Sequence, residues 1–372
     1  MMEQQRTEGR TGFWTDSKER ITRDMPVFYN PVMKLNRDMT LAMLLTMKND
    51  VRIALPMEAS GLRAARILHE LVAPGHLNPA LIAVNDLSEH AIDFAKRNIA
   101  HNIGSFDSSR VEVTRMDASE FLLRGGGFEY IDIDPFGTPN PFIDAAVRRV
   151  SRSGIIAVTA TDTAALSGTY PSATAKKYWA AGSRTWVMHE VGLRILIRKV
   201  QLIAAQYDKA LVPVLSLATD HYYRVFFEHL RSDAAVKDVL AKHRFLIVDQ
   251  KSLLLRVSRT NDAPEGAHAA GPLWTGPLHD VERVRSMRAA LSKLDAETAA
   301  QLDKLLAIVE DECKIDSVGF IDLHELASCM GGQALRTDVV LEKLGNHACR
   351  THINGHSVKT DLDMDEFRKR IS

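Results

Sequence analysis

Apolar runs at 51–55, 80–84, 111–113 and 128–133 alternate with stretches whose apolar residues keep helical spacing. Such alternation constrains the chain to an open, mostly parallel α/β sheet. A parallel strand needs a crossover connection, and a helix both supplies it and covers the sheet. After the first run, Ala59-Ser60-Gly61 predicts a tight turn, and Leu62, Ala65, Ile67, Leu68 and Leu71 lie largely on one side of a helix over 62–71. Ser88 is placed to cap the next helix, whose Ile92, Ala95 and Ile99 keep the same period. Ligands of open sheets gather at the carboxyl ends of the strands, so Gly61, Asp86, Asp117 and Asp134 are expected to line one crevice.

The last of these positions opens the word Asp134-Pro135-Phe136-Gly137. A carboxylate and a backbone carbonyl can accept both N–H bonds of a planar aromatic amine while a phenyl face stacks on the base. That arrangement makes the nitrogen nucleophilic toward a methyl sulfonium. The plain alternative is a strand-ending turn in which proline stops the sheet and glycine supplies a positive φ. A nicotinamide-binding sheet would show the same alternation, but no G-x-G-x-x-G follows Leu55. The turn has the single Gly61, with Arg63 and Arg66 on the helix beyond it, which leaves a pyrophosphate little reason to sit there. Taken alone, Arg63 and Arg66 read as a solvated helix face, Arg37 as an ion-pair partner of Asp38 or Glu58, and Asp117 as the cap of a helix beginning near Ala118.

Longer words extend the pattern along the chain: Val27-Phe28-Tyr29-Asn30-Pro31 with Leu35-Asn36-Arg37-Asp38; Ala59-Ser60-Gly61-Leu62-Arg63; Asn85-Asp86-Leu87-Ser88; Ile133 through Gly137; Val158-Thr159-Ala160-Thr161-Asp162; His189-Glu190 with Arg194-Ile195-Leu196; Gly271-Pro272-Leu273-Trp274; and Arg350-Thr351-His352 with Lys359-Thr360-Asp361. In these words the chain resembles the tRNA guanine-26 N2-dimethyltransferases, S-adenosylmethionine enzymes, of the archaeal type. The resemblance implies a Rossmann-like class I methyltransferase sheet. It also implies transfer of methyl groups from S-adenosylmethionine to the exocyclic N2 of guanosine 26 in tRNA, giving the dimethylated base. By position it assigns Asp134 as the catalytic carboxylate, with Pro135 and Phe136 shaping the guanine pocket. Arg37, Arg63, Asp86, Asp117 and Ala118 fall at donor-binding positions, and Phe28 and Tyr29 at the substrate pocket. The family commonly places an acid at the end of the first strand, where this chain has Leu55. Glu58 is the candidate to take its place. Two other readings stand beside this one: an amino methyltransferase acting on another tRNA guanosine or another nucleic-acid base, and a noncatalytic tRNA-binding protein.

Charge does not announce a nucleic-acid partner, because Lys plus Arg and Asp plus Glu balance at 47 each. A tRNA site must therefore be local. The candidates are Arg148-Arg149 with Arg152, Lys176-Lys177, Arg198-Lys199, the stripe Arg283, Arg285 and Arg288, and Arg368-Lys369-Arg370, each of which reads singly as a solvated helix face. No metal is expected. Cys313, Cys329 and Cys349 form no C-x-x-C pair, Glu366 stands where the calcium loop begun by Asp361, Asp363 and Asp365 needs glycine, and a strand and turn account for His347, Cys349, His352 and His356. No span is apolar enough for a membrane, no signal peptide precedes the polar N-terminus, and the expected compartment is the cytoplasm. No obligate protein partner is evident.

The chain divides into a methyltransferase domain over 1–265 and a tRNA-binding domain over 266–372. Strands are predicted at 211–217, 222–228, 245–248 and 253–257, then an Ala-, Gly- and Pro-rich linker over 261–272. Helices follow over 280–291, 296–310, 322–330 and 338–344. A hairpin over 349–360 turning at Asn354-Gly355 completes an α+β winged-helix-like C-terminal domain.

Overall fold

The computed structural model describes residues 3–16, 29–219 and 221–372. An antiparallel hairpin opens the chain, β1 (Glu3–Glu8) and β2 (Thr11–Asp16), with Glu8 opposite Thr11 across a turn in which Gly9 has φ 57°. Strand alternation buries Thr11, Phe13 and Thr15 on one face. Then follow α1 (Lys34–Leu44), β3 (Arg52–Leu55), α2 (Leu62–Arg66), β4 (Leu81–Asp86), α3 (Glu89–Asn102), β5 (Val111–Arg115), α4 (Ala118–Arg124), β6 (Phe128–Ile133), α5 (Asn140–Arg149) and β7 (Val150–Ala160). β3 pairs in parallel with β4 and β6, β4 with β5, and β6 with β7. Every strand read from the apolar runs is present, and the caps behave as expected: Ser88 Oγ accepts from the Ala91 N–H at 3.3 Å. The helix over 62–71 is also there, but a π-helical turn, Ile67–Val72, replaces its second half.

After α6 (Thr163–Leu166), α7 (Pro171–Tyr178) and α8 (Met188–Ala205), the antiparallel pair β8 (Ala210–Ala218) and β9 (Tyr223–Leu230) completes a seven-stranded sheet. Its order is β5-β4-β3-β6-β7-β9-β8. The order reverses between β3 and β6, which opens a crevice at their carboxyl ends, the usual ligand position of a doubly wound sheet.

α9 (Asp233–Ala241) leads into β10 (His243–Asp249), β11 (Leu254–Ser258) and β12 (Ala267–Trp274), an antiparallel sheet with β10 in the middle. β12 corrects the linker expected over 261–272, whose second half is strand. Its small residues permit close approach. Gly271 exchanges both backbone hydrogen bonds with Ala181 at 2.7 Å, and a Cβ on Gly271 would lie 2.9 Å from the Leu273 nitrogen. Pro272 is tolerated because β12 is an edge strand.

The last segment holds α10 (Val281–Ala290), α11 (Ala296–Glu312), β13 (Ile321–Asp322), α12 (Leu323–Met330), α13 (Thr337–Leu344), β14 (Ala348–Arg350), β15 (Ser357–Thr360) and α14 (Met364–Ile371). Leu323, Leu326, Val340, Leu344, Val358, Phe367 and Ile371 form one apolar core there. Helices packed on a small hairpin agree with the winged-helix-like expectation. The hairpin turn differs, since β14 and β15 are joined through the whole of 351–356 rather than by a two-residue Asn354-Gly355 turn. The loop is drawn out because the backbone N–H and Nδ1 of His352 both bind Glu312 Oε1.

Two compact units divide the chain. One comprises Met1–Pro135, Pro139–Val158 and Arg285–Lys304. The other comprises Phe136–Thr138, Thr159–Val284 and Leu305–Ser372. Among the described residues no helix is long and apolar enough to cross a membrane.

Candidate active site

β6 explains the chemistry of the first unit. Its period of two sends Tyr130, Asp132 and Asp134 to the same side, and two carboxylates leaving an apolar strand must be met by donors. Asp132 is buried, and its Oδ2 accepts from Tyr130 Oη at 2.8 Å and from Thr40 Oγ1 of α1 at 3.1 Å. The third partner is Arg63 of α2, whose Nη1 lies 3.4 Å from Asp132 Oδ2 and donates to Asn36 Oδ1 at 3.0 Å and Thr40 Oγ1 at 2.6 Å. The other arm of Arg63, Nη2, donates to Asp134 Oδ2. Arg63 is therefore no solvated helix residue. It is a buried fork that fixes two strand-end carboxylates, a geometry a guanidinium supplies and an ammonium does not. Asp134 keeps 16% of its side chain exposed, and its Oδ1 has no hydrogen-bond partner among the described residues.

Beneath this pair lies a second ionic cluster. Arg66 is fully buried, donating to Glu70 and Asp38 at 2.7 Å and to Glu8 at 2.9 Å. Arg37 Nε donates to Glu8 Oε1 at 2.7 Å, so its partner is the N-terminal hairpin and neither Asp38 nor Glu58. Burial works against the Glu8 carboxylate, but Arg37 and Arg66 outweigh it and hold Glu8 below the usual range. Tyr29 Oη donates to Glu8 Oε2 at 3.2 Å, and burial together with that carboxylate raises the phenol. Phe28 lies outside the described residues.

Asp86 and Asp117, expected at the donor from the sequence, lie at the end of β4 and just beyond β5. Asp86 Oδ2 accepts from the Ala59 N–H and Oδ1 from the Ser88 N–H, both at 2.9 Å, which ties the 59–61 turn to the start of α3. Gly61 has φ 73°, and a Cβ there would lie 2.6 Å from Ala95 Cα, so the turn accepts only glycine. Asp117 Oδ1 caps α4, accepting from Ser119 at 2.8 Å and Glu120 at 3.1 Å, with Ala118 buried behind it. Leu55 is buried. Glu58 is buried as well, and its Oε1 accepts from the Ala64 N–H at 2.8 Å, satisfying an orphan donor in the first turn of α2. Burial pushes the Glu58 carboxyl up to about 8.

In the second unit Phe136 is 52% exposed. Gly137 has φ 81°, and its N–H donates to Thr161 Oγ1 at 2.7 Å while its carbonyl accepts from the Thr161 N–H at 2.9 Å. The proline and glycine thus do make a strand-ending turn. That turn also leaves the phenyl ring facing solvent.

A possible metal cluster in this unit is His279, Glu312 and His352, whose ligand atoms lie within 4.8 Å of one another. The ring tautomers speak against coordination. His279 Nδ1 accepts from the Ser216 N–H at 3.3 Å, and His352 Nε2 accepts from the Ala218 N–H at 3.4 Å. In each ring the other nitrogen, which faces Glu312, therefore carries a proton, His352 at 2.9 Å and His279 at 3.5 Å. The cluster is a carboxylate held between two imidazole N–H groups, and burial pushes His279 down to about 4. The remaining histidines disperse, His347 to Asp361 and His356 to Asp322.

Sequence reading missed Asp132, Tyr130, Thr40, Asn36 and Glu8 as parts of the site's support. The signal available was Asp132 itself, a charge inside an apolar strand two residues before Asp134.

A mixed sheet of this order, parallel over β5-β4-β3-β6-β7 with an antiparallel final hairpin, is the Rossmann-like sheet of the class I methyltransferase fold. The chain belongs to the N2,N2-dimethylguanosine tRNA methyltransferase family, whose model matches residues 9–372. It is 34% identical to the tRNA (guanine(26)-N(2)/guanine(27)-N(2))-dimethyltransferase of Aquifex aeolicus, over 94% of this chain and 91% of that protein. It is 35% identical to the tRNA (guanine(26)-N(2))-dimethyltransferase of Pyrococcus abyssi, over 98% and 97%. Trm1 from Pyrococcus horikoshii, solved in complex with S-adenosyl-L-methionine, superposes with a TM-score of 0.87 at 28% identity, covering 98% of this chain and 99% of that one.

Proposed function

We propose that this protein methylates the exocyclic N2 of guanosine 26 in tRNA, twice, with S-adenosylmethionine as donor and Asp134 as the catalytic carboxylate. The observation that carries the reading is the Arg63–Asp134 pair. It holds one carboxylate oxygen and leaves Oδ1 without a partner among the described residues, while Phe136, two residues on in the chain, is 52% exposed. Oδ1 accepts a hydrogen bond from the guanine amine, Phe136 stacks on the base, and Pro135 keeps the loop out of the sheet. The donor, when bound, supplies an electrophilic methyl on a positive sulfur. As the new N–C bond forms the S–C bond breaks, and the proton released by the nitrogen passes to Asp134 or to water. Arg63 acts through Asp134 as a positioning residue.

The donor-side residues fit such a molecule. Asp86 ends β4 where ribose hydroxyls are held in related sheets, and Leu87, 69% exposed, offers an apolar face for the adenine beside it. The reading assigns Asp117 and Ala118 to the adenine edge and Arg37 to the donor, with Tyr29 at the substrate pocket. We assign the transfer to residues 1–265 and the grip on the tRNA body to 266–372, where Arg368, Lys369 and Arg370 lie in the last turn of α14. The protein works in the cytoplasm. Nucleoside analysis of an unmodified tRNA transcript after reaction tests the reading. N2-methylguanosine followed by N2,N2-dimethylguanosine, both mapping to position 26, is expected. A methyl on a ring nitrogen or on another nucleotide would overturn it.

A further inference from the structure

Tyr170 and Trp179 are 61% and 50% exposed, and they bracket α7, on which Lys176 and Lys177 are also exposed. We infer, on the basis of the tRNA reading above, that this face grips the RNA strand flanking the target guanosine. Tyr170 and Trp179 stack on bases, and Lys176, Lys177 and Arg198 meet the adjoining phosphates.

The indole is held ready for that task. Trp179 caps α7 in the left-handed region, φ 55° and ψ 43°, where glycine is the usual occupant and a bulky side chain is strained. Its backbone N–H donates to the Ala175 carbonyl at 3.1 Å, and its backbone carbonyl accepts from Arg198 Nη1 at 3.2 Å. Lys199 Nζ lies 2.9 Å from the ring centroid and has no carboxylate partner among the described residues. The indole thus carries a cation against its ring while half of the residue remains exposed. Strain of this kind persists where function uses it, and an aromatic platform beside cations is the surface that single-stranded nucleic acid recognises.

Hydrogen bonds tie it to the loop that carries Phe136. Tyr178, between the lysines and the tryptophan, donates through its hydroxyl to Asp162 Oδ1 at 2.6 Å and accepts from Thr138 Oγ1 at 3.0 Å. Lys177 Nζ reaches Asp162 Oδ2 at 3.3 Å. Thr138 is two residues beyond Phe136, so α7 and the base-stacking loop are joined by direct hydrogen bonds. Lys176, Lys177, Arg198 and Lys199 gather four cationic side chains on α7 and against Trp179, and among them Lys177 meets the carboxylate of Asp162, although the chain as a whole is neutral.

The test measures tRNA affinity, its salt dependence and methyl-transfer kinetics for the full-length protein and for Trp179→Ala, Tyr170→Ala, Trp179→Phe and the Lys176→Ala/Lys177→Ala pair. Each aromatic-to-Ala change is expected to weaken tRNA binding at least about fivefold and to raise KM for tRNA, with donor affinity unchanged. Trp179→Phe keeps a ring and restores most of the loss, which a merely structural role would not do. The lysine pair lowers the slope of log K against log salt by about 1–2, and the aromatic changes leave it alone. Ala variants that bind tRNA within twofold of the parent while melting normally would overturn the inference. Failure of the parent protein to bind tRNA would overturn the tRNA reading and this surface with it. Normal tRNA binding by the Ala variants with loss of a protein partner would assign the patch to that partner instead.

Discussion

Replacing Glu58 by Gln tests the electrostatics of the β3–α2 turn. The carboxyl is buried, and burial, reinforced by Asp132 and Asp134 and opposed by Arg63, raises it from 4.5 to about 8. The folded protein therefore keeps a proton on Glu58 that the unfolded chain gives up. The group's contribution to stability is intact below about pH 4.5 and is lost progressively as pH rises through about 8. A rise of that size corresponds to roughly 5 kcal/mol as a ceiling, and relaxation or water entry brings the working value to about 2–4 kcal/mol. Gln has no charge to lose and can keep the bond from the Ala64 N–H, which now reaches Glu58 Oε1 at 2.8 Å. Urea unfolding of both proteins from pH 5 to pH 9 should show the Gln variant gaining on the parent by that amount as pH rises. Two parallel stability curves would refute the reasoning, since they would mean that Glu58 carries the same proton folded and unfolded.

The other predictions concern the buried ion pairs. Glu190 is held down to about 2 because Lys359 at 3.1 Å, Arg194 at 2.8 Å and the Gly319 N–H outweigh its burial. Lys359→Met should cost about 3–5 kcal/mol in denaturant unfolding at neutral pH, because it leaves a buried carboxylate short of a partner. With the lysine present, the Glu190 contribution is present above about pH 4.5 and falls away toward pH 2. Arg63→Lys keeps the charge but cannot span Asp132, Asn36, Thr40 and Asp134 together. A fall in kcat of about 10–100-fold, with tRNA affinity unchanged, is expected in steady-state assays.

Legibility followed periodicity. β3, β4, β5 and β6 were readable because apolar strands of a covered parallel sheet leave continuous hydrophobic runs, and Ser88 and Asp117 were readable as caps because capping is local. The hairpin β1–β2 was missed because its residues are mostly polar, with only Thr11, Phe13 and Thr15 marking an inward face. Taken alone, Arg63 and Arg66 read as a solvated face because their partners are far away in sequence: Asp134 for one, Glu8 and Asp38 for the other. The 261–272 segment looked like a linker for the same reason. Its Ala, Gly and Pro composition answers to β10 and to Ala181, which local pattern cannot reveal.

The most direct test of the central claim is single-turnover methyl transfer from labelled S-adenosylmethionine to tRNA transcripts bearing guanosine or adenosine at position 26, with the parent protein and with Asp134→Ala. The account predicts transfer by the parent to the guanosine transcript alone. It predicts loss of at least about 100-fold in Asp134→Ala, with donor and tRNA binding retained. Undiminished transfer by Asp134→Ala, or equal transfer to the adenosine transcript, would contradict it.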